Sequence, residues 1–205
     1  MKNGIAENMA FFVSREFEEK FRYDGKDLGA ECTDGKTAFR VWSPLAERIE
    51  LRLYKNGNSK DAYLKKEMEA GEKGVWKLEF PESLHGVYYD YLVRIEGKDT
   101  RTADPYAVGC SCNGHRSMVV DLRKTDPPGF ERDRAPRAGE ERIIYELHIK
   151  DFSYDEESGV PGEYRGRYKA FTVTGTGGDY PTCVEYLKKL GITHVHLLPF
   201  FDYGS

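Results

Sequence analysis

Short segments in which apolar and polar residues alternate occupy most of the chain between residues 28 and 122. In Arg48–Tyr54 the alternation places Ile49, Leu51 and Leu53 on one face, as in a half-buried β-strand. The same period predicts further strands at Thr37–Trp42, Gly74–Phe80, Gly86–Ile95 and Met118–Leu122. Turn residues such as Ser43-Pro44 and Asn56-Gly57 separate them. Several short strands within about a hundred residues are typical of an immunoglobulin-like β-sandwich, which we predict for residues 26–124.

A short helical extension is predicted for residues 1–25, before the sandwich. Ser14 is a good N-cap, acidic residues follow it in the first turns, and Phe17 and Phe21 fall on one face. After the sandwich, residues 125–139 contain three prolines, two glycines and no apolar periodicity. We predict that this stretch is a linker.

Residues 140–205 follow a different pattern, because their apolar segments are continuous. Ile143–Ile149 and Thr193–Pro199 are predicted to be strands buried on both faces. Between them a helix is predicted to begin at Asp179, with Pro181 in its first turn, and to end at Gly191. Its apolar face consists of Cys183, Val184, Leu187 and Leu190. The order strand, helix, strand predicts a βαβ unit that begins a parallel sheet.

Charge and hydropathy exclude several classes of partner. The formal net charge is −4 and the basic residues are dispersed, which argues against nucleic acid. No apolar stretch approaches the length of a membrane span, and the apolar run Met9–Val13 is too short for a secretory signal. The spacing of Cys32, Cys110, Cys112 and Cys183 fits no disulfide framework, so reduced thiols are expected. We therefore predict a soluble, cytoplasmic protein that contacts neither nucleic acid nor membrane.

Four segments of the chain, at residues 39–44, 104–107, 145–153 and 187–205, resemble type I pullulanases, which belong to the α-amylase superfamily of glycoside hydrolases. Residues 39–44 resemble the opening strand of the sandwich module that precedes many catalytic domains of this superfamily, and Asp104-Pro105-Tyr106-Ala107 resembles its closing segment. Residues 145–153 are similar to the first strand of the pullulanase (β/α)8 barrel, and residues 187–205 to its first helix and second strand. The four segments stand in the family's order along the chain.

The resemblance implies a mixed fold, with a carbohydrate-binding-type sandwich followed by the first βαβ unit of an incomplete (β/α)8 barrel. It also implies a retaining hydrolase that cleaves α-1,6-glucosidic branch bonds in pullulan, glycogen or starch. Retention needs two nearby carboxyl groups, and in this family both lie on later barrel strands. No catalytic, substrate, cofactor or metal residue of the family is therefore assigned to this chain, which is expected to be inactive alone. No cofactor is predicted, and calcium is left open.

The implied partners are an α-glucan polysaccharide and the remainder of the barrel, as further chain or as a fragment. Left alone, strands that are apolar on both faces expose unpaired edges, so residues beyond about 140 are expected to be stable only when the barrel is complete. Two other functions stay open. One is a non-catalytic carbohydrate-binding or docking module, and the other is a branching or isoamylase-type enzyme. The segment Lys150–Ser153 favours pullulanase.

Several residues have the types and spacings of a functional site. His194 and His196 lie two apart, as in some barrel metallohydrolases, but residues 197–199 continue the pullulanase pattern, so we interpret both as structural. Glu146, His148 and Lys150 share a strand face, with Asp151 just beyond. We interpret them as satisfying one another inside the barrel or packing under the sandwich, rather than as contacting substrate.

Two further patterns have simpler structural explanations. The run Gly175-Thr176-Gly177-Gly178 lacks the third glycine of a dinucleotide fingerprint and is interpreted as a loop. Trp42 and Trp76 could serve as flat platforms for sugar rings, but their positions in alternating strands favour packing in the core.

Overall fold

The computed structural model describes residues 10–134, 139, 141–198 and 200. It separates into two compact units, one that runs to Pro128 and one that begins at Gly129. This division falls within the segment that the sequence predicted as a linker. Among the described residues, no helix has both the length and the apolar character needed to cross a membrane.

In the first unit, helix α1 spans Arg15–Phe21, and residues 10–12 before it are also helical. The Ser14 hydroxyl accepts a 3.1 Å hydrogen bond from the backbone N–H of Phe17, which satisfies one of the free donors at the helix start. Phe17 is buried and contacts Trp42 edge-to-face, with ring centroids 6.2 Å apart. The predicted cap and apolar face of this helix are confirmed.

Two antiparallel sheets follow. In the first, the strand order is β1 (Gly29–Cys32), β2 (Thr37–Trp42), β6 (Val75–Phe80) and β5 (Glu69–Ala70). In the second, the order is β4 (Leu64–Glu67), β3 (Arg48–Tyr54), β7 (Tyr88–Ile95) and β8 (Lys98–Thr102), and β9 (Ser117–Met118) also pairs with β7. β1 is thus an edge strand of the first sheet.

One apolar core lies between the two sheets. The first sheet contributes side chains such as Phe39 and Leu78, and the second contributes Leu51, Tyr89 and others. Phe39 and Tyr89 are fully buried and their rings meet at 73° with centroids 5.0 Å apart. Side chains from facing sheets that share one core define a β-sandwich, so the predicted sandwich is confirmed.

The predicted strands differ from the structure in number and extent. Residues 118–122 do not form one strand, because β9 ends at Met118 and a 3₁₀ turn begins at Leu122 with Asp121 as its cap. β2 is not the opening strand, since β1 precedes it and pairs with it. The sequence analysis also missed β4, β5 and β8, whose residues are all exposed.

The second unit contains a strand, a helix and a strand. β10 (Ile144–Leu147) and β11 (His194–Leu197) pair in parallel, with Ile144 opposite His194. Helix α2, Cys183–Lys189, lies between them in sequence, and Gly191 follows it with a positive φ of 72°. The predicted order and parallel pairing are therefore present in the described residues.

Details of this unit correct the sequence analysis. Helix α2 is capped at Thr182 rather than at Asp179, and Pro181 precedes the helix instead of lying in its first turn. Both strands are shorter than predicted and are not buried on both faces, since Ile144 is 66% exposed and Val195 43% exposed. Pro199 and residues 201–205, which the prediction also used, lie outside the described residues.

The segment between β10 and α2 is ordered by its own small core. Val160 and Ala170 are buried together with Cys183, and the rings of Phe152 and Phe171 stack 4.4 Å apart. The glycine-rich run 175–178 lies in this segment as a loop, with positive φ at Gly175, Gly177 and Gly178. A side chain at Gly177 would place its Cβ only 2.1 Å from the carbonyl oxygen of Tyr180, so glycine is required there by space as well as by φ.

Candidate functional site

The polar residues at the ends of β10 and β11 form two close pairs. His196 Nδ1 lies 3.0 Å from a carboxylate oxygen of Glu146, on the adjacent strand. His148 Nδ1 lies 3.3 Å from Asp151 Oδ2. All four side chains are substantially exposed. The predicted pairing within the set Glu146, His148, Lys150 and Asp151 is therefore observed only for His148 and Asp151, since Glu146 pairs with His196 instead. His148 and Lys150 also follow the strand rather than lie on it, because β10 ends at Leu147.

These pairs border a depression of about 390 Å³ within the second unit. Its apolar wall includes Phe152, Cys183 and Leu187. The Cys183 thiol donates to the carbonyl of Phe152 at 3.2 Å, and burial raises its pKa, so the reactive thiolate is disfavoured. Lys150 points away from these pairs to the ring of Tyr154, with Nζ 4.7 Å from the centroid.

The side chains of His194 and His196 face different partners and do not point to a shared metal position. His194 Nδ1 lies 2.8 Å from the hydroxyl of Thr193, whereas His196 faces Glu146. Across residues 10–134 and 141–198, no three His, Cys, Asp or Glu side chains are close enough together to hold a metal ion. All four cysteines are free thiols, with Cys32 and Cys183 buried and Cys110 and Cys112 exposed.

The two tryptophans of the sandwich have structural partners. Trp76 is 8% exposed and its Nε1 donates to the carbonyl of Ser43 at 3.1 Å. Trp42 is half-buried, and its Nε1 lies 2.9 Å from the carbonyl oxygen of Phe21 and 3.0 Å from that of Lys73. Trp76 lies in the core as predicted. Trp42 instead packs against helix α1, outside the buried core cluster.

The segment Asp104–Ala107, one of the four recognised motifs, is anchored by buried hydrogen bonds. The Asp104 carboxylate accepts from the hydroxyls of Tyr89 at 2.7 Å and Tyr91 at 3.3 Å, and from the backbone N–H of Tyr106 at 2.9 Å. Its own N–H donates to the Ser117 hydroxyl at 2.8 Å. Burial raises the pKa of Asp104 above its ordinary value. The motif's aspartate therefore fixes the backbone that carries Tyr106.

A second buried polar group, which the sequence analysis did not identify, centres on Asp90. Its carboxylate lies 2.6 Å from Arg101 Nε and 3.1 Å from the Tyr54 hydroxyl. Arg116 stacks on the Tyr54 ring at 3.7 Å and donates to the carbonyl of Gly57 at 2.8 Å. A charged residue at a buried position of the apolar strand 88–95 was the signal available in the sequence, since a buried carboxylate requires partners.

The similarity to known proteins extends over both units of the chain. Residues 27–107 match the family model for carbohydrate-binding module 48, the isoamylase N-terminal domain. A chloroplastic pullulanase of Arabidopsis thaliana is 36% identical over 92% of this chain, and a Bacillus subtilis pullulanase is 33% identical over 92%. The chain is similar to the N-terminal portion of type I pullulanases. The resemblance predicted from its motifs is confirmed.

Solved structures of pullulanases are also similar to this chain. The enzyme of Paenibacillus barengoltzii, crystallised as a D350A mutant with maltotriose, aligns over 94% of this chain with a TM-score of 0.83 and 34% identity. Pullulanase from Bacillus acidopullulyticus aligns over 91% with a TM-score of 0.81 and 39% identity. The chain spans 20% and 26% of the two curated pullulanases and 30% and 23% of the two solved chains.

Proposed function

We propose that this chain is the N-terminal part of a retaining glycoside hydrolase that cleaves α-1,6-glucosidic branch bonds in pullulan, glycogen or starch. The observation that carries the proposal is the extent of the pullulanase match. The first unit ends at Pro128, whereas the match covers 92% of 205 residues and so must include much of the second unit. A carbohydrate-binding module alone would match the sandwich and no more.

The second unit would supply the first βαβ unit of a (β/α)8 barrel. Such a barrel needs eight parallel strands and typically about 250 residues. In support, β10 and β11 pair in parallel, and their apolar side chains Ile144 and Val195 stay exposed in the described unit. In a closed barrel, further strands and helices would cover side chains of this kind.

The chemistry would reside in the remainder of the barrel. A retaining hydrolase uses two carboxyl groups about 5 Å apart, one as nucleophile and one as general acid and base. We assign neither role to a residue of this chain. The side chains of Glu146 and His196, and those of His148 and Asp151, contact each other at the strand ends, which fits support of the barrel rather than catalysis.

We also propose an α-glucan as the ligand of the complete protein. The proposal is supported by the family 48 match and by the pullulanase of Paenibacillus barengoltzii, which was crystallised with maltotriose and with maltohexaose and α-cyclodextrin. The mixed surface charge, with a net charge of −4, suits a neutral polysaccharide better than a polyanion.

The test is hydrolysis of pullulan by the protein expressed from the complete reading frame that contains these residues. We expect new reducing ends and maltotriose-type products from pullulan, and no products from the 205-residue chain alone. Linear amylose, which lacks α-1,6 bonds, is the control substrate. Binding to amylopectin without hydrolysis of pullulan would contradict the proposal and favour a non-catalytic module.

The matching family model is described as the isoamylase N-terminal domain, which favours an isoamylase-type enzyme as a second candidate, and a branching-type enzyme also stays open. A branching enzyme transfers a glucan chain and leaves the number of reducing ends unchanged, whereas a hydrolase increases it. Counting reducing ends on amylopectin therefore separates transfer from hydrolysis.

A further inference from the structure

A groove runs along the open edge of β1 in the sandwich. It consists of two adjoining depressions of about 320 and 360 Å³, both lined by Ala30, Glu31 and Val108. The first depression is also lined by Lys26 and Tyr106, and the second by Leu122 and Arg123. We call this feature the β1 groove. It lies entirely within the first unit.

The wall that faces β1 is fixed in place by close backbone packing. Gly29 has a φ of +103°, and a Cβ there would lie 3.0 Å from the carbonyl oxygen of Tyr106. The Tyr106 N–H is held by Asp104, and the N–H of Met118 donates to the carbonyl of Gly109 at 2.8 Å. A Cβ at Gly109 would lie 2.7 Å from Val120. The groove is therefore preformed, which lowers the entropic cost of binding.

Its lining combines apolar surface with free polar groups. Val108 is 64% exposed and the ring of Tyr106 is 36% exposed. The Glu31 carboxylate is 67% exposed, and its nearest cation, Arg40 Nη1, is 3.7 Å away, beyond hydrogen-bond distance. Asp27, in contrast, is already occupied by the Tyr23 hydroxyl and by Arg40 Nε. Glu31 is thus free to accept hydrogen bonds from a ligand.

We propose that the β1 groove is an α-glucan subsite of the sandwich, an inference that rests on the proposed function. The apolar face of a glucose ring would lie on Tyr106 and Val108, and its hydroxyls would donate to Glu31. The charged groups along the groove are of both signs, namely the basic Lys26 and Arg123 and the acidic Asp27, Glu31 and Asp121, which favours a neutral ligand over a phosphate.

A peptide strand added to the edge of β1 is the competing occupant. β1 has only four residues, and short edge strands offer few main-chain hydrogen bonds to a partner. The match to carbohydrate-binding module 48 covers residues 27–107 and so includes groove residues on both walls, such as Glu31 and Tyr106. Both observations favour the glucan.

The test compares two variants that each place a carboxylate on an exposed apolar position of the first unit. Val108→Glu puts the charge into the groove, whereas Leu45→Glu puts it at a 39% exposed position that does not line the groove. The ¹⁵N-labelled 205-residue chain is titrated with maltohexaose, and with cellohexaose as the control for linkage. Amide spectra of both variants check that the sandwich stays folded.

We expect maltohexaose to shift the amides of residues 30–33 and 106–108. We expect Val108→Glu to weaken binding about tenfold, because the ligand would have to desolvate an unpaired charge, and Leu45→Glu to leave it unchanged. Unchanged affinity of Val108→Glu, or shifts confined to other residues, would overturn the subsite. Failure of the wild-type chain to bind maltohexaose would also overturn it, yet would leave pullulan hydrolysis by the complete protein as a separate result.

Discussion

The carboxylate of Asp104 accepts a 2.7 Å hydrogen bond from the hydroxyl of Tyr89, and both side chains are buried in the sandwich. Burial disfavours the ionised form of the carboxyl group and raises its pKa, while hydrogen bonds from the Tyr106 N–H and from Tyr89 and Tyr91 oppose that shift. The ionised Asp104 carboxylate is therefore less favourable in the folded protein than in water, but it anchors the segment that carries Tyr106.

This arrangement predicts a pH-dependent contribution to stability. A raised pKa in the folded state means that Asp104 stabilises the fold most below its unfolded value of about 3.9 and that this contribution is lost as pH rises through the folded pKa. The difference between the free energy of unfolding of wild type and that of Asp104→Asn should therefore fall as pH rises from about 3.9 through the folded pKa of Asp104. Urea titrations across pH measure it, and a difference that stays constant with pH would contradict the assignment.

Asp121 should show the opposite dependence. Arg123 donates to both carboxylate oxygens, at 2.9 and 2.7 Å, and these hydrogen bonds lower the pKa of Asp121 to about 2. The resulting stability is present above the unfolded pKa of about 3.9 and is lost as pH falls through about 2. Arg123→Gln should therefore destabilise the protein at pH 7 and cost progressively less towards pH 2.

A matched control for Arg123 is Arg94, which also makes a two-pronged contact with an aspartate, Asp99. Asp99 is 38% exposed in its side chain, whereas Asp121 is 2% exposed. Exposed ion pairs contribute little to stability, so Arg94→Gln should have the smaller effect at pH 7. Equal effects of the two substitutions would show that the burial of Asp121 is irrelevant.

Trp42 is predicted to hold helix α1 on the sandwich. Its Nε1–H faces the carbonyl oxygens of Phe21 and Lys73, so Trp42→Phe removes the donor and keeps an aromatic ring. We expect the free energy that holds α1 on the sandwich to fall by about 1–2 kcal/mol. Amide exchange in α1 should become faster. Exchange rates in β3 should not change, and faster exchange there would instead indicate general destabilisation.

The sequence predicted the strands whose two faces differ in environment. β3 alternates between half-buried and buried residues, and the period of two in Arg48–Tyr54 reports that difference directly. β4 and β8 are fully exposed edge strands, in which no side chain is selected for the core, so no period marks them. Their pairing with β3 and β7 is set by backbone hydrogen bonds that sequence patterns do not record.

The β1 groove was not predictable for a related reason. It is lined by residues from 26–33, 106–108 and 118–123, which are far apart in sequence and meet only because the sandwich folds. Local spacing placed Glu146 near the end of β10 and His196 on the next strand, but it could not show that the two side chains pair. Local patterns indicate faces and ends of elements, whereas contacts between distant segments require the tertiary fold.

Gly29 should be intolerant of substitution because it supports the groove wall. Alanine there must adopt a φ near +103° and place its Cβ 3.0 Å from the Tyr106 carbonyl oxygen. We expect Gly29→Ala to cost more than about 1 kcal/mol. Gly35 is the control, because a Cβ at that position would have no other atom within 4 Å, and Gly35→Ala should be close to neutral in urea unfolding.

The two-stranded sheet of the second unit should be the least stable part of the described chain. A pair of strands without further neighbours is marginal in water, and Ile144 and Val195 remain exposed on β10 and β11. In contrast, Leu51 and Tyr91 on the paired strands β3 and β7 are almost fully buried. Hydrogen exchange on the 205-residue chain should therefore be much faster at residues 144–147 and 194–197 than at residues 48–54. Equal protection of the two sheets would show that the second unit is stable by itself, and would remove the argument that further barrel strands must cover it.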